Sequence, residues 1–412
     1  MSKRAKLLIA GMIAATSTCA ATFADDTTEI LNGQLNLDAA INVTARGETD
    51  QAAAATMTGI GSANALTVDV VEHHDIESEQ TFSGSVDVQA ETRATAIDGT
   101  AITTAAAQGN SVSVINDNGM HADVGQTALD GSTVSASARL EIDSYAMNSV
   151  TTATATANAY DAVSYGGHNE LALRQDSGAD VTADSYVLAE TGGLGNTANI
   201  IGAANGNSAQ IQGYYLAPDQ VADIDQDNRG DVTARAGTDA GGGAIYTTAV
   251  SSANGNSAWM QNEWGYGHIQ GEQDNEGDVT AETDVAIGDF DIDLVSLSSE
   301  GVGNSAIISN IGADAYMGVD QTNNGVVTAT TSFDGGTGGS VLASATAFGN
   351  AATTYVCSEC AVTAYGNTNQ TNNSAVNAYV TGRMNTGGAM SGTATAIGNS
   401  ATYQSITPNS GN

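Results

Sequence analysis

The sequence predicts an all-β chain, a β-solenoid of about eight repeats of roughly 48 residues. Three observations predict it. A phrase recurs at a fixed interval, small and β-branched residues alternate as they do in strands, and large apolar side chains are too few for an ordinary α/β core.

The interval comes first. "QDNRGDVTARA" starts at Gln226, returns as "QDNEGDVTAET" from Gln273, and again as "QTNNGVVTATT" from Gln321. Its valine marks Val86, Val134, Val181, Val232, Val279, Val327 and Val376, at intervals of 48, 47, 51, 47, 48 and 49. Gly-Asn is a second landmark, with Asn110, Asn207, Asn256, Asn304, Asn350 and Asn399. Asn158 stands in for a missing member, and Ser62 marks a degenerate earlier copy. A third landmark fixes the register: Gln80, Gln175, Gln226, Gln273, Gln321 and Gln370 each precede their valine by six positions. Before Val134 the glutamine is Gln126, eight positions away. The landmarks divide each unit into two similar halves. With one coil per half, eight units give about sixteen coils and an axis of roughly 75–80 Å.

The strands are read from alternation. "TTATATANA" (Thr151–Ala159) and "SVLASATAFG" (Ser340–Gly349) have period two. Asn-Arg-Gly, Asn-Glu-Gly, Asn-Asn-Gly and Gly-Asn are expected to turn the chain between runs, with φ > 0 available. Stacking equal positions places Gln over Gln and Asn over Asn, so buried amides can bond along the axis without water. The competing architecture is a set of antiparallel β-sandwich units, since a period alone does not fix topology.

The ends differ from the body. Lys3, Arg4 and Lys6, then "LLIAGMIAA" (Leu7–Ala15) and a cleavage site after Ala24, form a secretory signal peptide over residues 1–24. "TSTC" before Cys19 lacks the pattern of a lipid-attachment site. Residues 25–402 are the repetitive body and 403–412 a C-terminal tail. No later apolar run is long enough for a transmembrane span. The protein is expected to be exported, to the outer-membrane surface or beyond.

Charge and scattered reactive residues exclude several functions. With 46 acidic and 10 basic residues, net −36, the chain repels nucleic acid. "DIDQDNRGD" (Asp223–Asp231) is not an EF-hand loop, because Asn228 stands at position six and Ala234 at twelve. No metal site and no cofactor are expected, and only weak surface calcium binding is left open. His73 and His74 would face opposite ways on a strand. Cys357 and Cys360 are expected to form a local disulfide in an oxidising compartment. No nucleophile–base arrangement or phosphate loop is present, so no enzyme is expected. Aromatic residues are scarce, yet several follow the Gly-Asn landmark: Tyr165, Tyr214, Tyr215, Trp259, Trp264, Tyr266 and Tyr316. From Tyr214 onward they are a candidate binding face, able to stack on sugar or another protein. "TATATA" also raises an ice-binding solenoid as an alternative, which would need Thr pairs on every coil.

Two resemblances follow. "GNSAWMQ", "GNSAQIQ" and "GNSATYQ" resemble the Gly-Asn-x-Ala…Gln phrase of curlin repeats, with Gln six residues after Gly where the curlin phrase has seven. That likeness implies a curli-like fibre subunit as an alternative function. The signal peptide, size, acidity and the words "ATA-x-GN-x-A" and "Q-x-N-x-G-x-V-T-A" are similar to the HfaD holdfast-anchor family of stalked alphaproteobacteria. The resemblance implies a surface adhesin or anchor attaching an adhesive exopolysaccharide, the holdfast, to the envelope. It also implies sister anchor subunits and a curli-type outer-membrane secretion channel as partners.

Overall fold

The computed structural model describes residues 28–214, 218–357 and 362–406, and all regular structure among them is strand. The first coil holds β1 (Thr28–Ala52) and β2 (Ala55–Val70), and the second is β3 (His74–Asn116). The third holds β4 (Met120–Ala128) and β5 (Thr133–Ser164), the fourth β6 (His168–Ser177) and β7 (Asp180–Gly213). The fifth holds β8 (Asp219–Asn228) and β9 (Val232–Glu263), the sixth β10 (Gly267–Asn275) and β11 (Val279–Ile311). The seventh holds β12 (Ala315–Asn323) and β13 (Val327–Cys357). The eighth holds β14 (Ala364–Gly366), β15 (Asn369–Asn372) and β16 (Val376–Ile406). The stack therefore runs to Ile406, past the expected boundary at 402. The expected signal peptide lies outside the described residues.

Every strand pairing is parallel and joins a residue to its counterpart one unit away. Gln226 lies between Gln175 and Gln273, Val232 between Val181 and Val279, and Asn256 between Asn207 and Asn304. Parallel pairing at this separation excludes antiparallel sandwiches and makes the chain a solenoid. The coil is the whole unit, however, and not its half. The Gln half and the Asn half do not stack on each other; they form two walls of one coil and meet across its interior, as Thr92 meets Thr103 at 2.8 Å. Eight coils replace the expected sixteen, and the axis shortens to roughly 38 Å at the usual strand spacing.

Small core residues follow from this two-walled section. Val86, Val134, Val181, Val232, Val279 and Val327 are fully buried on one wall, and the other presents Ala105, Ala153, Ala155, Ala204, Ala253 and Ala345. Burying each valine stabilises the fold by about 1.5–3 kcal/mol relative to exposure. Larger side chains collect at the two ends of the section. Ile76, Met120, Leu173 and Met260 fill one, and Leu140, Leu194, Phe290 and Phe333 the other.

Two amide ladders brace the walls. Gln226 Nε2 donates to Gln175 Oε1 of the preceding coil (2.7 Å) and to Ser257 O across the interior (3.0 Å). The same pattern joins Gln80, Gln126, Gln175, Gln273, Gln321 and Gln370. Asn256 Nδ2 donates the other way, to Asn304 Oδ1 of the following coil (2.8 Å), and across to Asp274 O (2.6 Å). Asn110, Asn207, Asn304 and Asn350 repeat this, with Asn399 accepting at the end. A shorter third ladder joins Asn228, Asn275, Asn323 and Asn372. Away from the two ends, both hydrogens of each ladder amide are thus bonded where water is absent.

The glycines act sterically. Gly-Asn, expected to turn the chain, instead lies inside β7, β9, β11 and β13. A Cβ on Gly255 would lie 2.2 Å from Asn275 Oδ1 and 2.6 Å from Gly303 O. Gly277 does sit at a corner, but a Cβ there would lie 2.0 Å from Gly230 O, so close approach, not positive φ, demands glycine.

Candidate binding surface

One outward position of the short strands carries a column of rings. His268 on β10, Tyr316 on β12 and Tyr365 on β14 occupy one register position, alternating with inward Ile269 and Met317. The His268 and Tyr316 rings meet edge to face at 4.8 Å, and Tyr316 and Tyr365 lie 5.3 Å apart. Tyr266, from the corner before β10, closes on His268 at 5.8 Å, and its hydroxyl is 3.4 Å from that of Tyr365. Its N–H donates to Asp219 Oδ1 (2.9 Å). Gly318 has no side chain where the Tyr316 ring lies, 2.8 Å from an added Cβ. Burial pushes the His268 pKa down, so its imidazole is neutral at pH 7, and burial with the Tyr365 hydroxyl pushes the Tyr266 phenol up. Neutral rings with polar edges suit stacking against a sugar face.

The predicted row divides. Tyr266 and Tyr316 come together, whereas Tyr214 pairs with Tyr165 at 6.4 Å and donates to Gln212 Oε1 at 2.7 Å. Trp259 stands on the long wall in register with Gln210 and Ile307, apart from that corner. Trp264 is 59% exposed at φ +67°, and its ring covers Gly312. Tyr215 lies outside the described residues. So does Cys360, while Cys357 ends β13.

Beside the rings the short strands present acids. Asp225, Glu272 and Asp320 stack in one column below Arg174, which bridges Glu79 (3.3 Å) and Asp123 (3.4 Å). Burial, then the neighbouring Asp274 and Asp223, hold the Asp225 pKa above the ordinary carboxylate value. In the segment read against a calcium loop, Arg229 bridges Asp176, Asp227 and Asp130. Asp231 Oδ1 instead accepts from the Asp278 N–H of the next coil (3.0 Å).

A family model, HfaD: Holdfast attachment protein D, matches residues 49–326, from β1 to the corner before β13. The chain belongs to the HfaD family. No curated protein and no solved structure matches. The matched residues hold the ladders from Gln80 to Gln321 and from Asn64 to Asn304, and include His268 and Tyr316. In the curlin-like phrases of this HfaD-family chain, Gln212 and Gln261 stand on outward positions, away from the ladder. Its Thr rows are broken as well, since the column through Thr104 and Thr152 continues as Ile201, Val250 and Ser298. Sequence reading missed His268 and Tyr365 in the ring column, and Gln34 and Asn64 at the head of the ladders. The repeat could have found them: His268, Tyr316 and Tyr365 are 48 and 49 residues apart. No helix among the described residues is long and apolar enough to cross a membrane.

Proposed function

We propose that this HfaD-family protein is a non-catalytic anchor, exported to the cell surface, that fastens the holdfast's adhesive polysaccharide to the envelope. The family match over residues 49–326 carries the reading. The solenoid serves as a rigid spacer, and the column of His268, Tyr316 and Tyr365, with Tyr266 packed beside it, is its sugar-contacting face. The half-exposed rings, the neutral imidazole and the flanking amides and carboxylates support that assignment. Sister anchor subunits hold the protein at the surface, and a curli-type outer-membrane channel exports it. Deleting the protein should release adhesive material into the medium while synthesis of the polysaccharide continues. Restoring the chain with Tyr316→Ala and Tyr365→Ala should return surface protein without full retention. Full retention by that variant removes the ring column from the function; full retention in the deletion strain removes the anchor reading.

A further inference from the structure

We infer that copies of this chain stack head to tail, the eighth coil of one against the first coil of the next, so that the ladders continue from molecule to molecule. The argument starts from amides left open at the two ends. Gln370 Nε2 donates to Gln321 Oε1 and Ser400 O, but among the described residues nothing donates to its Oε1. Asn399 Nδ2 donates only to Gln370 O (3.2 Å), and Asn372 Nδ2 only to Ser374 O (2.8 Å), leaving each a spare hydrogen. At the other end Gln34 Nε2 donates only to Ala65 O, and Asn64 Oδ1 accepts nothing. The eighth coil therefore offers one acceptor and two donors. Continued in register, each meets its complement: Gln34 donates to Gln370, Asn399 to Asn64, and Asn372 to Asn36.

Asn36 is the most telling of these. Its column runs Phe82, Ala128, Ser177 and only then Asn228, Asn275, Asn323 and Asn372. Among the described residues no amide stands next to Asn36 in this column, and Asn372 of another copy would supply one. The apolar positions also match. Val376 and Ala378 are partly exposed below the last buried layer, as Ile41 and Val43 are at the first coil.

Charge points the same way. Arg383 is the only charged residue from Ala364 to Ile406, in a chain of net −36. The first coil, Thr28–Val70, carries five acids and one arginine. The Arg383 column ascends through Asp334, Ala286, Asp239, Leu188, Glu141 and Arg93 to Glu48. A stacked copy sets Arg383 against Glu48. Open-edged strands as long as β16 are templates for pairing, usually blocked by charge or proline. Here the 31 residues of β16 carry neither an acid nor a proline. Such a contact is heterologous and builds open filaments.

Cross-linking tests it. Thr395 and Ile60 share a column at opposite ends of the stack. With Cys357→Ser and Cys360→Ser in the full protein, copies carrying Thr395→Cys are mixed with copies carrying Ile60→Cys and oxidised. A disulfide-linked dimer is expected in the mixture and in neither variant alone. Sedimentation should show growth with concentration. Arg383→Glu should weaken association about five- to tenfold, and mixing those copies with Glu48→Arg copies should restore mixed contacts. Linkage of Thr395→Cys with itself would mean tail-to-tail pairing and overturn the inference. A monomer at every concentration would overturn it as well.

Discussion

Gln273 shows what the ladder contributes. Its side chain is 1% exposed, donates to Gln226 Oε1 (2.7 Å) and Ser305 O (2.9 Å), and accepts from Gln321 Nε2 (2.7 Å). In Gln273→Lys the ammonium can still reach the two acceptors, but the Gln321 hydrogen loses its partner, at about 1–3 kcal/mol. The buried charge adds several kcal/mol, so the loss is on the order of 5 kcal/mol. Gln273→Leu brings in no charge but orphans the Gln321 hydrogen and both acceptors, Gln226 Oε1 and Ser305 O, at roughly 2–4 kcal/mol. Gln261→Lys is the control, an outward position in the preceding coil, expected within about 0.5 kcal/mol of the parent. Thermal melts followed by circular dichroism, with hydrogen exchange to place the loss around coils five to seven, read the difference. Burial depresses the pKa of the introduced amine, so the unfolded chain binds more protons than the folded one. Stability should therefore recover as pH rises toward about 10. If Gln273→Lys melts with the parent, the glutamines do not brace the core.

Three further outcomes are expected. Gly255→Ala should cost about 2–3 kcal/mol, because its Cβ has nowhere to go. Gly33→Ala, with nothing within 4 Å of an added Cβ, should be neutral in the same melts. Burial holds Asp161, Asp184, Asp225 and Asp227 above the ordinary carboxylate pKa. The folded chain then takes up protons more readily than the unfolded one, and the melting temperature should rise from pH 7 toward about pH 5; a steady fall across that range refutes this. Tyr365→Ala, at a 42% exposed ring, should leave melting unchanged yet reduce polysaccharide retention several-fold, since a lost stacking contact costs about 0.5–1.5 kcal/mol.

The repeat was legible because parallel stacking demands equal residues at equal intervals, and amides that bond to their own copies cannot drift. Even the irregular Gln126 falls into place: the turn holding Asp130 and Gly131 takes up the two extra residues before β5, and Gln126 still bonds to Gln80. Coil length was not legible, because the two halves carry similar alternation and only the contacts of Gln with the opposite wall show that they face each other. The aromatic row was misjudged for a related reason. Trp259 and Tyr266 are close in sequence, but a corner separates the wall of one from the short strand of the other. Membership of a column depends on distance modulo the repeat, which joins His268 to residues as remote as Tyr365.

The opposed directions of the two main ladders have an electrical consequence. Each glutamine amide points its N–H toward the first coil, and each asparagine amide toward the last. An α-helix aligns its peptide dipoles and accumulates partial charge at its ends. Here the two columns run antiparallel along the same interior, and their moments oppose one another at every level. Lengthening these two ladders together adds no net polarisation at their termini; the third, from Asn228 to Asn372, runs unopposed toward the last coil. Each further 48-residue unit would extend both main ladders equally, so these two columns set no electrostatic limit on coil number.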